Sequence, residues 1–280
     1  MRDLADSDMS KQVIVTTIFG PPAETLERTY ASFTKVPNAE LHVFVYNEAL
    51  PKHQHPDIKY HLVKPDPAFL SVRRDALFRR WSWPDTLDAE YAMVVDGVDA
   101  ICLQPVPAFA NLLRGASLAA ATEWVPPMRI LGQGFTSVYL NAGMTLWHLP
   151  SSRTMREEII ARGRAHYRGP FDDQTALNEV VHTRFFDQLT VLPSQYNWRG
   201  LYLKNHRGWE HHWRNWPRVD SLDGVVIYHN QHCLQEVLEA AKTTLPAARA
   251  TLPALTEDDK EAISKWTLLK RRIMHRLRHS

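Results

Sequence analysis

Short runs of β-branched and aromatic residues alternate with helical patterns along most of this 280-residue chain. Predicted strands cover residues 12–19, 41–46, 58–63, 91–95, 116–122, 138–149 and 224–229. Predicted helices cover residues 23–33, 72–81, 151–165 and 171–181, with Ser151 or Ser152 as the N-cap of the third. This order predicts an α/β fold, with a Rossmann-like, mixed but mostly parallel sheet flanked by helices. Ligands of such sheets bind outside the carboxyl ends of the strands.

The predicted strand at residues 91–95 ends on two carboxylates, Asp96 and Asp99, with Gly97 between them. Carboxylates beside a buried strand are costly unless they are paired or bind a cation. A turn at Gly97 would let both meet one divalent metal ion, and His229 at the end of the last predicted strand would complete the site. Oxygen ligands with one imidazole suit Mn²⁺ or Mg²⁺. The alternative is an Asx turn at Asp96, with His229 an ordinary strand-end residue.

Charge and composition restrict the classes of function. The 33 basic and 31 acidic residues leave a net charge of +2, which argues against nucleic acid as a partner. The two cysteines form no disulfide framework and fit a reducing, cytoplasmic setting. The sequence has neither an apolar signal region nor the roughly 18 consecutive apolar residues of a membrane span. Neither a G-x-G-x-x-G motif nor a Walker motif occurs.

Five segments of the chain form a series that is similar to a known family. They are Tyr91–Asp99, Ala121–Trp124 followed by Pro126, Tyr139–Met144, Phe171–Gln174 and Val226–Asn230. In this order they resemble the glycosyltransferases of the GT-A fold, which use nucleotide-diphosphate sugars. The D-x-x-D spacing is similar to that in the glycosyltransferase domains of collagen lysyl hydroxylases and their bacterial relatives. The chain departs from the family in two ways: it lacks a Lys-Pro-Trp segment, and Gln231-His-Cys233 replaces the glycine-rich stretch that follows the histidine. Because of this replacement, His232 is an alternative to His229 as the metal ligand.

The resemblance implies a metal-dependent hexosyltransferase with a UDP-sugar as donor. The donor-binding residues would be Thr16, Thr17 and Ile18 at the first strand end, Arg73 and Arg74 at the diphosphate or sugar, Asp96, and Asn141 with Gly143 in the sugar pocket. Arginine suits phosphate oxygens because its fork binds them bidentately. The residues alone leave other interpretations open: strand packing for the threonines, a solvated helix face for the arginines, and a turn or bulge for Asn141 and Gly143.

Asp172 and Asp173 are the expected catalytic carboxylates. In an inverting enzyme, one of them would take the proton from the acceptor hydroxyl. In a retaining enzyme, the same carboxylate would only orient the donor sugar. Both residues directly precede a predicted helix, so an N-cap is the alternative.

Aromatic and basic residues are mixed between residues 196 and 218, which predicts an acceptor-binding region or, alternatively, a core of loops packed by tryptophans. Further on, residues 256–278 predict a basic amphipathic helix with Trp266 on its apolar face. Such a helix would contact the inner face of a membrane peripherally, which suits a lipopolysaccharide or lipid-linked acceptor, or it would dock on the domain. We therefore predict a GT-A domain at residues 1–235 and a helical extension at residues 236–280.

Two other functions remain compatible with the residues. A metal-dependent phosphoesterase would use Asp96, Asp99 and His229 on simple phosphate esters, without needing the segments around Asn141 and Asp173. A non-catalytic carbohydrate-binding protein of the same fold would bind a donor without consuming it.

Overall fold

A seven-stranded sheet forms the centre of the structure. The structure is a computed structural model, and it describes residues 11–20, 27, 29–123, 128–130, 134–165, 172–202, 217–230 and 234–244. The strands are β1 (Gln12–Ile18), β2 (Ala39–Val45), β3 (Ile58–Leu62), β4 (Tyr91–Asp96), β5 (Ala100–Cys102), β6 (Leu118–Thr122), β7 (Met128–Ile130), β8 (Gly134–Thr136), β9 (Leu140–His148), β10 (Leu189–Leu192), β11 (Leu201–Tyr202), β12 (Arg218–Val219) and β13 (Ile227–His229). The main sheet has the order β10-β6-β9-β4-β1-β2-β3. Every pairing in it is parallel except those of β9, which runs antiparallel to β4 and β6. The predicted α/β fold with a mixed, mostly parallel sheet is confirmed.

Both faces of the sheet are covered, which explains the near-continuous apolar character of the strands. Alternate residues of β1 point to opposite sides: Ile14 and Ile18 belong to one apolar cluster, and Val13 and Val15 to the other. The helices are α1 (Val72–Arg79), α2 (Phe109–Leu113), α3 (Leu149–Arg164), α4 (Asp173–Val180) and α5 (Leu234–Thr244). A short 3-10 helix covers Ala31–Lys35. The predicted helix at residues 23–33 lies partly outside the described residues.

Helix α3 begins earlier than its sequence predicts. It starts at Leu149, directly after β9, so neither Ser151 nor Ser152 is its N-cap. Pro150 occupies the first turn, where a missing N–H costs nothing. The two serines bond elsewhere: Ser117 donates to the hydroxyl of Ser151, and the hydroxyl of Ser152 accepts from Arg156.

Strand β13 is shorter than predicted and lies outside the main sheet. It pairs antiparallel with β5, with His229 opposite Ala100. This register places His229 beside Asp99, the residue that precedes β5. Helix α5 packs against the same small sheet, because Val237 and Leu238 share an apolar cluster with Ile101 and Tyr228.

The described part of the chain contains no helix that is long and apolar enough to cross a membrane. The predicted basic helix at residues 256–278 and the aromatic residues from Trp209 to Trp216 lie outside the described residues. The division at residue 235 stays a prediction.

Candidate functional site

Three predicted metal ligands meet at the carboxyl end of β4. Asp96 ends this strand, Asp99 follows the turn, and His229 ends β13. One possible ligand atom from each side chain lies within 4.8 Å of the other two. Nε2 of His229 is 3.1 Å from Oδ1 of Asp99, and both residues are buried. Two carboxylates and one imidazole form a donor set that suits Mn²⁺ or Mg²⁺.

The turn between the two aspartates depends on Gly97. A Cβ atom at this position would lie 2.3 Å from Oγ1 of Thr16 and 2.9 Å from Cδ1 of Ile18. Glycine therefore lets the turn approach the end of β1 closely. Asp96 also accepts a hydrogen bond from the backbone N–H of Val98 at 3.1 Å, so the predicted Asx turn exists within the same cluster. One carboxylate can serve both purposes, since the turn uses only one of its oxygens.

The side chains at the end of β1 are buried. Thr17 donates a hydrogen bond to the carbonyl of Ala76 at 3.3 Å, and Ile18 belongs to the apolar core. The hydroxyl of Thr16 faces Gly97. These three side chains pack the interior, and their contact with a nucleotide stays a prediction.

Asn141 is the centre of a polar network on β9. Its amide N–H groups donate to Oε2 of Glu123 at 2.6 Å and to Oε1 of Gln174 at 3.0 Å. Its amide oxygen accepts from the backbone N–H of Gly143 and from the amide of Asn197, both at 2.8 Å. An asparagine side chain offers two donors and two acceptor lone pairs, so these four bonds use its whole capacity. A bond from Asn141 to a sugar hydroxyl, which stays a prediction, would have to replace one of them.

The expected catalytic carboxylates have different surroundings. Asp173 begins α4 and forms a buried ion pair with Arg80, which also donates to the carbonyl of Ala142 at 2.8 Å. Burial raises the pKa of Asp173, the charge of Arg80 opposes this shift, and the charge of Asp96 adds to it. Asp172 occupies the N-cap position of this helix with a φ of 44°, as the N-cap alternative predicted, but its side chain makes no capping hydrogen bond. Its carboxylate instead accepts a hydrogen bond from Arg73 at 2.9 Å.

The two expected phosphate-binding arginines also differ. Arg73 is exposed apart from its pair with Asp172. Arg74 is mostly buried, donates to the carbonyl of Gly163 at 2.9 Å and lies over the ring of Phe78. Only Arg73 fits the interpretation of a solvated helix face.

Two residues of the site, Arg80 and Glu123, were given no role from the sequence, although Glu123 stands inside one of the quoted segments. Asn197 and Arg199 fall in the region at residues 196–218 that was expected to bind the acceptor, and the structure bonds both to His229. The bond between Asn197 and His229 spans 32 positions, and no sequence spacing rule links such residues.

A cavity opens beside this network. It is lined by Thr122, Ser194, Asn197, Trp198, Arg199, Gly200 and Pro217. The buried indole N–H of Trp198 has no hydrogen-bond partner among the described residues.

Comparisons with known proteins identify the fold. No family model and no curated protein matches the chain. Among solved structures, the galactosyltransferase LgtC in complex with donor and acceptor sugar analogs matches 89% of this chain and 99% of its own, with a TM-score of 0.56 at 15% identity. Mouse xyloside xylosyltransferase 1 matches 79% of this chain and 97% of its own, with a TM-score of 0.50 at 16% identity. The chain therefore has the GT-A fold that its sequence resemblance predicted.

Proposed function

We propose that this protein is a metal-dependent glycosyltransferase that moves a sugar from a UDP-sugar to a hydroxyl of a glycan or glycolipid. The observation that carries the proposal is the convergence of Asp96, Asp99 and His229 at the carboxyl end of β4. In an α/β sheet this edge is where ligands bind. The GT-A fold, found also in a galactosyltransferase solved with donor and acceptor sugar analogs, supports the same function.

Asp96, Asp99 and His229 would hold Mn²⁺ or Mg²⁺. A divalent cation bound there supplies Lewis-acid stabilisation of the negative charge on the departing diphosphate. Arg73 is the described cation best placed to assist, because its guanidinium is exposed and pairs with a carboxylate that phosphate oxygens can replace. We propose that it binds the diphosphate when the donor arrives.

Asp173 would orient the donor sugar. Its carboxylate is buried and tied to Arg80, which is itself bonded to the backbone of β9. A side chain fixed in this way holds a substrate group in one geometry, and positioning of this kind accounts for a large part of catalysis in group transfer. This role suits a retaining reaction better than proton abstraction, because the ion pair with Arg80 already engages one carboxylate oxygen and fixes the side chain in place.

The acceptor would enter the cavity beside Trp198 and Arg199. The indole N–H of Trp198 offers a donor to a hydroxyl, and its ring offers a face for a sugar. The basic residues predicted to form a helix at positions 256–278 favour a lipopolysaccharide or another lipid-linked glycan as the acceptor. Their proposed contact with the inner face of a membrane would be tested by sedimentation with anionic vesicles.

The decisive experiment is a thermal-shift screen of nucleotide sugars with and without Mn²⁺, followed by detection of free UDP. We expect UDP-sugars to raise the melting temperature only with Mn²⁺, and Asp99→Asn to abolish this response. No stabilisation by any nucleotide sugar would contradict the proposal. Release of phosphate from a simple ester, without UDP production, would favour a phosphoesterase instead.

A further inference from the structure

We propose that Asn197 is a positioning residue that fixes the imidazole of His229 as the Nδ1-protonated tautomer and thereby presents Nε2 to the metal ion. The inference rests on the proposed function, because it takes His229 as a metal ligand. It concerns a residue that is not one of the three candidate ligands but bonds to one of them.

A backbone N–H determines the direction of every bond in this part of the network. The N–H of Gly143 can only donate, so the Asn141 atom 2.8 Å away is the amide oxygen. Asn197 lies 2.8 Å from the same oxygen, which requires that its NH₂ group point there. The remaining amide atom of Asn197 is then its oxygen.

This oxygen lies 2.8 Å from Nδ1 of His229. An amide oxygen only accepts hydrogen bonds, so Nδ1 must carry the proton. In a neutral imidazole the lone pair then resides on Nε2. Nε2 is the atom that faces Asp99, at 3.1 Å from its carboxylate. The tautomer that the network selects is the one that a metal shared with Asp99 requires.

The bonds of this network form a closed ring around a buried Asn197, which makes the selection firm. Arg199 donates to the carbonyl of His229 at 2.8 Å, and its Nε lies 3.4 Å from Glu123. Glu123 in turn accepts from Asn141, which bonds to Asn197. Asn197 is 1% exposed, so water cannot easily replace its bond to the ring. Partners of this kind orient a ligating histidine, and their loss weakens metal binding by roughly 10-fold to 100-fold.

Two substitutions of Asn197 separate positioning from packing. Asn197→Leu removes both bonds, whereas Asn197→Asp keeps an oxygen for Nδ1–H and loses only the bond to Asn141. If Asn197 positions the ring, Mn²⁺ affinity measured by calorimetry in the presence of UDP should fall about 10-fold to 100-fold in the leucine variant. The aspartate variant should retain most of it. If Asn197 only fills space, the leucine variant should bind Mn²⁺ about as tightly as the native protein, because leucine occupies a similar volume.

Nitrogen NMR of the imidazole gives a second readout that does not depend on activity. With histidine labelled with ¹⁵N and no metal ion bound, the His229 signals, identified by their absence in His229→Gln, should report protonated Nδ1 in the native protein at pH 8. In Asn197→Leu we expect this signature to weaken or change. An unchanged signature would overturn the proposal.

Asn178→Leu is the matched control. It removes another buried amide that joins β9 to α4 through bonds to Leu140, and it touches none of the three candidate ligands. We expect it to lower stability while its Mn²⁺ affinity stays within about twofold of the native value, well short of the loss that follows removal of a ligand's bonding partner. If the native protein and Asn197→Leu bind Mn²⁺ equally well, the positioning role of Asn197 is refuted but the metal site is not. Native protein that binds no Mn²⁺ would refute the metal site of the proposed function as well.

Discussion

The imidazole of His229 lies against the backbone of Gly143, so closely that a Cβ atom on Gly143 would be 1.8 Å from its Cε1 and 2.6 Å from its Nδ1. Glycine is the one residue that leaves room for the ring. Gly143 thus has a steric role in the site, separate from the place in the sugar pocket that the resemblance implied. The position of one candidate ligand on β13 therefore depends on the absence of a side chain on β9.

Gly143→Ala should therefore displace His229 and weaken Mn²⁺ binding. The ring would have to turn away from the new methyl group, which breaks its bond to Asn197 and its contact with Asp99. We expect the affinity for Mn²⁺, measured by calorimetry with UDP present, to fall at least about 10-fold, as for loss of a ligand's orientation.

Gly163→Ala provides the control for this collision. A Cβ atom there would lie 2.4 Å from Cγ of Phe78, between α3 and α1 and away from the candidate ligands. We expect this variant to lose stability, as overpacked cores do, by about 1–3 kcal/mol. Its Mn²⁺ affinity should remain near the native value. Equal losses of affinity in both variants would mean that the effect of Gly143→Ala is a general loss of folding.

Arg73→Ala should weaken donor binding while barely affecting stability. An exposed ion pair such as that between Arg73 and Asp172 contributes about 0–1 kcal/mol to folding. Loss of a charge-assisted contact to phosphate costs more, about 1.5–3 kcal/mol, which corresponds to roughly 10-fold to 100-fold in the dissociation constant. Titration of the protein with UDP-sugar in the presence of Mn²⁺ measures this dissociation constant.

Arg153→Ala is the comparison for Arg73→Ala. Arg153 is also exposed and also paired, with Glu157 four residues along α3. Its removal should change neither the melting temperature nor donor affinity appreciably. If the two variants bind the donor equally well, Arg73 does not contact the diphosphate.

The sequence predicted the fold well because its evidence is local. Six of the seven strands of the main sheet carry an apolar run that is recognisable by itself, whereas the four-residue β10 was not predicted. The turn at Gly97 directly follows the strand that it ends. The start of α3 was misplaced by two residues because two serines resembled a cap, whereas Pro150 is compatible with the first turn. Errors of this kind arise where two local signals compete.

The supporting residues of the site could not be predicted, because they depend on pairings between distant strands. Asn197 meets His229 because backbone hydrogen bonds join the adjacent Trp198 to Ile227 and His229 of β13. Likewise, Arg80 meets Asp173 across 93 positions. The candidate ligands were found because carboxylates at a strand end are unusual, while a buried asparagine in a loop has no such signature.

Stability should decrease in mild acid because of two stacked histidines. Nδ1 of His42 lies 2.9 Å from Nε2 of His61, a hydrogen bond that needs one unprotonated nitrogen. Burial is the largest cause that lowers the pKa of His42 and the pKa of His61. The charge of His61 lowers the pKa of His42 further, whereas the hydrogen bond and charge of Glu40 raise it. Because the folded pKa values lie below the unfolded value of about 6.5, the unfolded state binds more protons, so this stability is present above pH 6.5 and lost as pH falls through the folded values.

Melting temperatures between pH 8 and pH 5 test this expectation. The double variant His42→Phe, His61→Phe keeps a ring stack against Phe44 and should show a shallower decline with falling pH. His53→Gln changes an exposed histidine and should reproduce the native slope. A double variant with the native slope would show that other groups control the acid sensitivity.

Arg80→Met should destabilise the protein more at high pH than at low pH. It leaves the carboxylate of Asp173 buried without its partner, which typically costs about 3–5 kcal/mol. Burial already raises the pKa of Asp173, and loss of Arg80 removes the main opposing effect. With a folded pKa above the unfolded one, the folded state binds more protons, so stability falls as pH rises through this range. Urea unfolding at pH 5 and pH 8 measures the difference.

Two further variants make this result specific to the pair. Adding Asp173→Asn to Arg80→Met removes the unpaired charge, so we expect the double variant to recover much of the stability at pH 8 without recovering sugar transfer. Arg156→Met deletes another buried arginine, but its partner Asp85 is partly exposed and can remain ionised in water. Its loss of stability should therefore be nearly the same at both pH values. If the stability that Arg80→Met loses is also the same at pH 5 and pH 8, Asp173 must remain solvated. The ion pair would then not hold a buried carboxylate in place for the donor.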